Sequence, residues 1–414
     1  MSLKKTLKRN GLVQAVYGMV TEKIRYYTVR RDPRFHLLLN GSAAFSRHEN
    51  SDHIRMILNW FRNAQEYNKD GGFPFGIDIG KYLAGAQTYG PSYPETSGYI
   101  LASLVLAQKQ GYKQVTQSML DYTADYLVEN QRVDGGYRTV LSSTSSHSLT
   151  FDTGQVLCGL TQYQANYPRD DVAECIERAA NWMASQIENN GAYKVQSTFF
   201  GEQRCYYTRA TIGLALAAKL NNREDWRDAA IRNINWAIQF QDDDGWFDRF
   251  SFPDGELSNL HGISYTIRGI LDTGILFGIE EFVDSAILAT NSMLNANAPK
   301  QNTSSSFPGH FTTGFRSVSR EIIPTGLAQL SIICLKLGRI TGQQSYTDFA
   351  QRQVENLKTM HLQNFQDPCI DGLLPGSWPL NGRYEPYFLP NWPIKFFLDA
   401  LLVLEGVDAL EVRG

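Results

Sequence analysis

Two kinds of apolar segment alternate along this chain. The first is amphipathic: in 112–130, Val115, Met119, Tyr122 and Tyr126 recur at spacings of 4, 3 and 4, the stripe of a helix with one buried face. The second is apolar on every side, as from Tyr99 onward in 91–108, so a helix there must be buried by other helices all round. The alternation predicts helix pairs 53–65 with 91–108, 112–130 with 150–165, 171–188 with 204–220, 224–241 with 259–277, 280–295 with 319–337, and 345–362 with 391–404. Each greasy helix opens on a polar turn. In the first, Ser92-Tyr93-Pro94-Glu95 reads as a capping box, with Pro94 where a missing N–H costs nothing.

Gly72, Gly136, Gly191, Gly245, Gly309 and Gly372 mark corresponding turns, a period of about 60 residues that signals stacked supersecondary units. An open stack would need polar end caps, which are absent; a ring with greasy helices inside and amphipathic ones outside buries everything. The expected fold is all-α, an (α/α)6 toroid over 49–414, with 1–48 as an N-terminal helix and irregular segment packed on it. No long strand is expected, although short pieces near GAYKV and GGYRTV can pair in loops. Parallel inner helices would gather their N-termini at one mouth, where the dipoles favour an anion.

Composition narrows this picture. No apolar run reaches the ~20 residues of a membrane span, and a net charge of −3 argues against a general nucleic-acid binder. Cys158, Cys175, Cys205, Cys334 and Cys369 are odd in number, far apart and free of CxxC spacing, which suggests reduced thiols in a cytoplasmic protein. The N-terminus is basic (Lys4, Lys5, Lys8, Arg9) and is no secretory signal. Its stripe of Leu7, Leu12, Val16 and Val20 suits a helix packed on the body, or a contact with an anionic membrane surface or polysaccharide-assembly partner. HExxH, Cys/His metal spacing, GxGxxG, P-loop and GxSxG motifs are all missing, so no metal or cofactor is expected.

Candidate chemistry gathers at the helix starts. Tyr93 and Glu95 come from the first greasy helix, Asp152 from the second, and Tyr206, Tyr207 and Arg209 from the third. Glu95 has the capping box as its bland role, and Asp152 has helix capping. On the fourth, His261, Tyr265 and Arg268 share one face, which is costly in an apolar helix unless they line a wet cavity. Glu321 belongs to the fifth, where it could pair with Arg320; Asn391, Trp392 and Lys395 belong to the sixth. Arg138, Trp246, Arg249, Trp378 and Tyr384, in the turns, would form a sugar-stacking rim.

QRVDGGY (Gln131, Gly135, Tyr137), QIENNGAY (Gln186, Gly191, Tyr193) and, more loosely, QDDDGWF (Gln241, Gly245, Trp246) resemble the Gln…Gly-x-aromatic repeats of terpenoid-cyclase and prenyltransferase toroids. YPETSGYI and GSWPLNGRYEPYFLPNWPIKFFLDALL more specifically resemble the VpsJ-type proteins of bacterial exopolysaccharide clusters. That resemblance implies a polysaccharide setting. The cyclases' Asp-x-Asp-Asp acid is missing, since Gln241 precedes Asp242 to Asp244, so a terpene substrate is disfavoured.

Arg209, Arg268 and Lys395 converging with the helix dipoles would clamp a carboxylate. The expected reaction is then proton abstraction at C5 of a uronic acid, giving epimerisation or elimination, with Tyr207, His261, Tyr265 or Glu95 moving the proton. Hydrolysis by Glu95 and Asp152 is the rival enzyme reading. A non-catalytic glycan-binding scaffold is the third.

Overall fold

The computed structural model describes residues 23–42, 44–86, 88–140, 147–253, 255–298 and 307–407. Among them, twelve helices of 13 to 19 residues form six outer–inner pairs. The outer helices are α1 (Asn50–Asn68), α3 (Gln117–Glu129), α5 (Asp170–Ser185), α7 (Glu224–Ile238), α9 (Glu280–Ala296) and α11 (Gln344–Lys358). The inner helices are α2 (Pro94–Lys109), α4 (Thr150–Gln164), α6 (Thr208–Asn221), α8 (Leu260–Phe277), α10 (Pro324–Thr341) and α12 (Asn391–Leu404). Burial follows the two sequence patterns: α4 is buried in all but its last residue, whereas α5 buries one face through Val172, Cys175, Ile176, Ala179, Ala180 and Met183.

Each inner helix packs on the next, and α12 returns onto α2 and α1, closing an (α/α)6 toroid. The inner ring is tight because glycines let backbones touch. A β-carbon at Gly159 would lie 2.0 Å from the Gly98 carbonyl oxygen, and one at Gly213 2.0 Å from that of Gly154.

The repeat turns are fixed by Gly71, Gly135, Gly191, Gly245 and Gly372, all with φ between 80 and 96°. Gly72 and Gly136 are thus one residue past the turning position, and Gly309 has no positive φ. Each turn rests on the following outer helix; the Gly372 turn rests on Met56 of α1 and so completes the circle. The repeated glutamine is a clamp for this docking. Gln131 donates to the carbonyls of Gly135 (2.9 Å) and Cys175 (2.8 Å), and Gln241 to those of Gly245 (3.4 Å) and Ser285 (2.9 Å). Gln186 does not do this; Asn233 of α7 reaches the Gly191 carbonyl instead, at 2.9 Å. Asp242 closes its own turn by accepting from the amides of Asp244 and Trp246.

Short strands β1 (Gly76–Asp78), β2 (Ser258–Asn259), β3 (His310–Thr312), β4 (Arg316–Ser317) and β5 (Phe388–Pro390) carry the loops around the mouth. β1 pairs with β5, and β3 lies between β2 and β4, all antiparallel. In GAYKV, Tyr193 bridges to Ile187; GGYRTV forms no strand. The α10 helix starts at Pro324, five residues later than the sequence pattern suggests, because Ile322 is held in a bridge to Trp378. The α6 helix starts at Thr208, after a 3-10 turn, Cys205–Tyr207.

Upstream of α1, residues 23–31 and Pro33–Leu39 are helical and bury Val29, Phe35, Leu38 and Leu39, with Phe35 5.3 Å from Phe365. Lys4, Lys5, Lys8 and Arg9, and the stripe from Leu7 to Val20, lie outside the described residues. No helix of the described residues is long and apolar enough to cross a membrane.

Candidate functional site

The capping box is not formed. The α2 helix begins at Pro94 with Tyr93 as its N-cap and no side-chain cap. Ser92 turns away to donate to Asp70 (2.7 Å) and accept from Asn68 (2.8 Å). Glu95, released from capping, lines a cavity of about 580 Å³ at the mouth of the ring. The first turns of five inner helices reach this cavity: Glu95 on α2, Phe151 on α4, Tyr206 just before α6, His261 on α8 and Trp392 on α12. Tyr99 and Tyr265, one turn deeper, form its floor.

Loops supply the rest of the wall. Phe199, Phe200 and Phe252 add apolar surface, Asn259, His310 and Arg383 add donors, and Glu256 and Glu385 add carboxylates beside Tyr384. Such a cavity, mostly aromatic with a few convergent polar groups, is the usual form of a small-molecule site.

Behind Glu95 lies a second carboxyl. Asp152 is fully buried and accepts from the Tyr93 hydroxyl at 2.8 Å, while that hydroxyl also meets Thr139 Oγ1 at 2.9 Å. Asp152 is not the N-cap of α4, and its Oδ2 has no side-chain partner among the described residues. Burial pushes the Asp152 pKa up to about 7, against the lowering effect of the Tyr93 hydrogen bond. Burial first, and the neighbouring Asp152 charge second, hold the Glu95 carboxyl well above the ordinary range. Both effects favour the protonated form of Glu95.

The other candidates divide by depth. His261 is held neutral, its pKa lowered to about 3 by burial and by Arg209. Its Nδ1 is 2.7 Å from the Gln329 amide, and its ring is 4.1 Å from that of Tyr265. Burial raises Tyr93, Tyr99, Tyr265 and Tyr384 well above the free phenol, so none supplies a phenolate base. Tyr207 stacks beneath Tyr206 at 4.4 Å and accepts from the Phe199 amide, off the cavity wall. Asn391 is the first residue of α12 and caps nothing; it ties that helix start to the Pro74 carbonyl (2.8 Å) and Thr96 (3.0 Å).

The expected carboxylate clamp is not on the wall. Arg209, Arg268 and Lys395 lie below the floor, against the Phe396 ring and engaged with Asp272 and Asp399. The helix period aligns Arg268 with His261 and Tyr265, but two turns down it points into the ring's axis.

The expected rim is also dispersed. Arg138 is exposed, Trp246 packs on Phe250 and Phe315, and Arg249 stacks 4.3 Å over Phe240 and donates to the Gln203 carbonyl. Trp378 belongs to a smaller polar pocket with Arg320. Glu321 meets not Arg320 but His310 (2.7 Å) and the Arg383 amide (2.9 Å), bracing two wall residues. The wall residues that sequence reasoning missed come mainly from loops; Tyr99 was findable, one helical turn from Glu95.

Among solved structures this chain is similar to an unsaturated glucuronyl hydrolase specific for heparin (TM-score 0.65, 15% identity, covering 87% of this chain and 98% of that one). It is likewise similar to a sugar epimerase from a ruminal bacterium (0.66, 11%, 87% and 99%) and to cellobiose 2-epimerase from Bacillus thermoamylovorans (0.64, 11%, 84% and 99%). At these identities the likeness establishes the α/α toroid fold. No family profile matches the chain, and no curated protein matches it in sequence.

Proposed function

We propose that this protein is a carbohydrate-active enzyme that hydrolyses a glycosidic bond of a uronate-containing oligosaccharide, with Glu95 as the proton donor. The observation that carries the reading is the place of Glu95: a buried carboxyl beside Asp152, its protonated form favoured by both, opening onto an aromatic cavity. A carboxyl whose protonated form is favoured is what leaving-group protonation requires. Glu95 gives its proton to the glycosidic oxygen as the bond from the anomeric carbon to that oxygen breaks. Water adds to the anomeric carbon, and its proton passes to a carboxylate of the wall, Glu256 or Glu385. Asp152, shut behind Tyr93, touches no substrate and is a positioning residue that tunes Glu95.

The heparin-specific glucuronyl hydrolase and the sugar epimerases among the structural neighbours support a saccharide substrate. The YPETSGYI and GSWPLNGRYEPYFLPNWPIKFFLDALL resemblance to VpsJ-type proteins supports an exopolysaccharide setting, for which we infer a cytoplasmic location. A second reading keeps proton abstraction at C5, favoured by one observation: His261 is a neutral imidazole beside Tyr265, on a wall that also holds Arg383 and His310.

Incubation with acidic oligosaccharides in deuterated water separates these readings. A new reducing end without deuterium at C5 is expected. Deuterium at C5, or an unsaturated end, would replace hydrolysis by epimerisation or elimination. Binding without turnover would leave a glycan-binding scaffold.

A further inference from the structure

Below the cavity floor, all six inner helices send a polar side chain to the ring's axis. These are Ser103 from α2, Cys158 from α4, Arg209 from α6, Arg268 and Asp272 from α8, Lys336 from α10, and Lys395 and Asp399 from α12. Asp272 takes Lys336 at 2.6 Å and Arg268 at 3.3 Å, with Arg209 at 4.0 Å. Asp399 takes Lys395 at 2.7 Å, Ser103 at 2.6 Å and Arg268 at 3.7 Å. Among the described residues the cluster sets four cationic side chains against two carboxylates, with burial lowering Lys395 to about 8. Burial raises the Cys158 pKa, so it stays a thiol.

Uncompensated charge in such a place is among the most expensive features a fold can carry. Two donors here also have no acceptor among the described residues: Arg209 Nε and Arg268 Nη1. The four cationic side chains are buried but not sealed, each keeping 3 to 6% of its surface accessible. Both guanidinium groups lie within 6 Å of the Phe396 ring centre (5.9 and 5.6 Å), and none of the four cationic side chains lines the glycan cavity.

We propose that the axis of the toroid binds a small monovalent anion of halide size, held between Arg209 and Arg268 as a structural counter-ion. It would accept from the two orphan N–H groups and reduce the charge excess. The site is independent of the hydrolytic reading.

The test uses bromide. Full-length protein is melted in sodium gluconate progressively replaced by sodium bromide at constant ionic strength, and bromide-grown crystals are examined for anomalous scattering. A saturable rise in Tm of about 2 °C or more is expected, with one anomalous peak on the axis between Arg209 and Arg268. Arg268→Met should abolish both; if it does not fold, Arg209→Met is read in the same way. No bromide dependence, or a peak elsewhere with an empty axis, overturns the proposal.

Discussion

The residue that decides the chemistry is Glu95, because a carboxyl whose pKa is raised by burial and then by a second, shielded carboxyl has a defined response to substitution. Glu95→Gln keeps the shape and removes the transferable proton. The expected loss in kcat is about 10²- to 10⁴-fold, with the circular dichroism spectrum unchanged; near-normal turnover would remove Glu95 from the mechanism. Asp152→Asn tests tuning instead. Without the anionic neighbour Glu95 ionises more readily, so the alkaline limb of the pH–rate profile should move to lower pH, with KM little changed. A purely structural Asp152 would leave that limb in place. The same substitution has a stability signature. The folded pKa of Asp152, about 7, exceeds its ordinary 3.8, so its contribution is fully present below pH 3.8 and is lost as pH rises toward 7. Asp152→Asn should therefore melt higher than the parent at pH 8, by about 2 °C or more, and the gap should close toward pH 4. Unchanged melting at pH 8 would mean Asp152 is not strained.

At the scale of elements, the ring depends on how closely α2, α4 and α6 approach. Gly159→Ala would place a β-carbon 2.0 Å from the Gly98 carbonyl oxygen, a backbone atom with no rotamer to move. We expect a loss of about 3 kcal/mol, read as a lower denaturant midpoint, whereas Gly80→Ala, which has no positive φ and whose β-carbon would meet only side-chain atoms of Asp78 and Arg25, at 3.2 Å or more, should cost far less. Equal effects would show that the inner ring is not in backbone contact. Gly98, Gly154, Gly159 and Gly213 stand in the sequence as Thr-Ser-Gly, Asp-Thr-Gly, Leu-Cys-Gly and Thr-Ile-Gly, but a periodicity argument reads them as neutral spacers. The helices themselves were legible because burial on one face or on all faces leaves a direct signature in the pattern. Helix starts were less so: Ser92 and Glu95 satisfy the capping-box spacing, yet Asp70 and Asn68, from the preceding turn, win Ser92. Register along a helix, too, says nothing of depth. His261, Tyr265 and Arg268 share a face, but only the first two reach the cavity. Loop residues such as Arg383 and Glu385 arrive through β1–β5 pairing and the docking of distant turns, which no local pattern encodes.

For the whole molecule, the question is where a closed ring opens, and the histidines at its seam give an answer. The His48 amide donates to His53 Nε2 at 3.2 Å, so the proton of His53 is on Nδ1 and points at His361 Nδ1, 2.7 Å away. His361 then holds its proton on Nε2, donated to the Gly372 carbonyl at 2.9 Å. This neutral chain joins α1 to the last repeat turn, the joint that closes the circle. Adding a proton to either ring removes an acceptor the chain needs. Burial accordingly lowers His53 to about 3 and His361 to about 4, from 6.5. Below pH 6.5 the unfolded chain takes up protons that the folded chain refuses, so stability falls as the pH drops toward 4. His261, lowered to about 3 in the cavity, adds to this fall, and Asp152 opposes it. The seam's own share is isolated by comparing slopes. His361→Gln should reduce the dependence of unfolding free energy on pH between 5 and 6 by up to about 1.4 kcal/mol per pH unit, the value of one proton. Amide exchange at pH 5 should, in the parent, lose protection first in α1 and around Gly372. Exchange that begins instead between α4 and α6 would mean the ring yields at its glycine contacts and not where its ends meet.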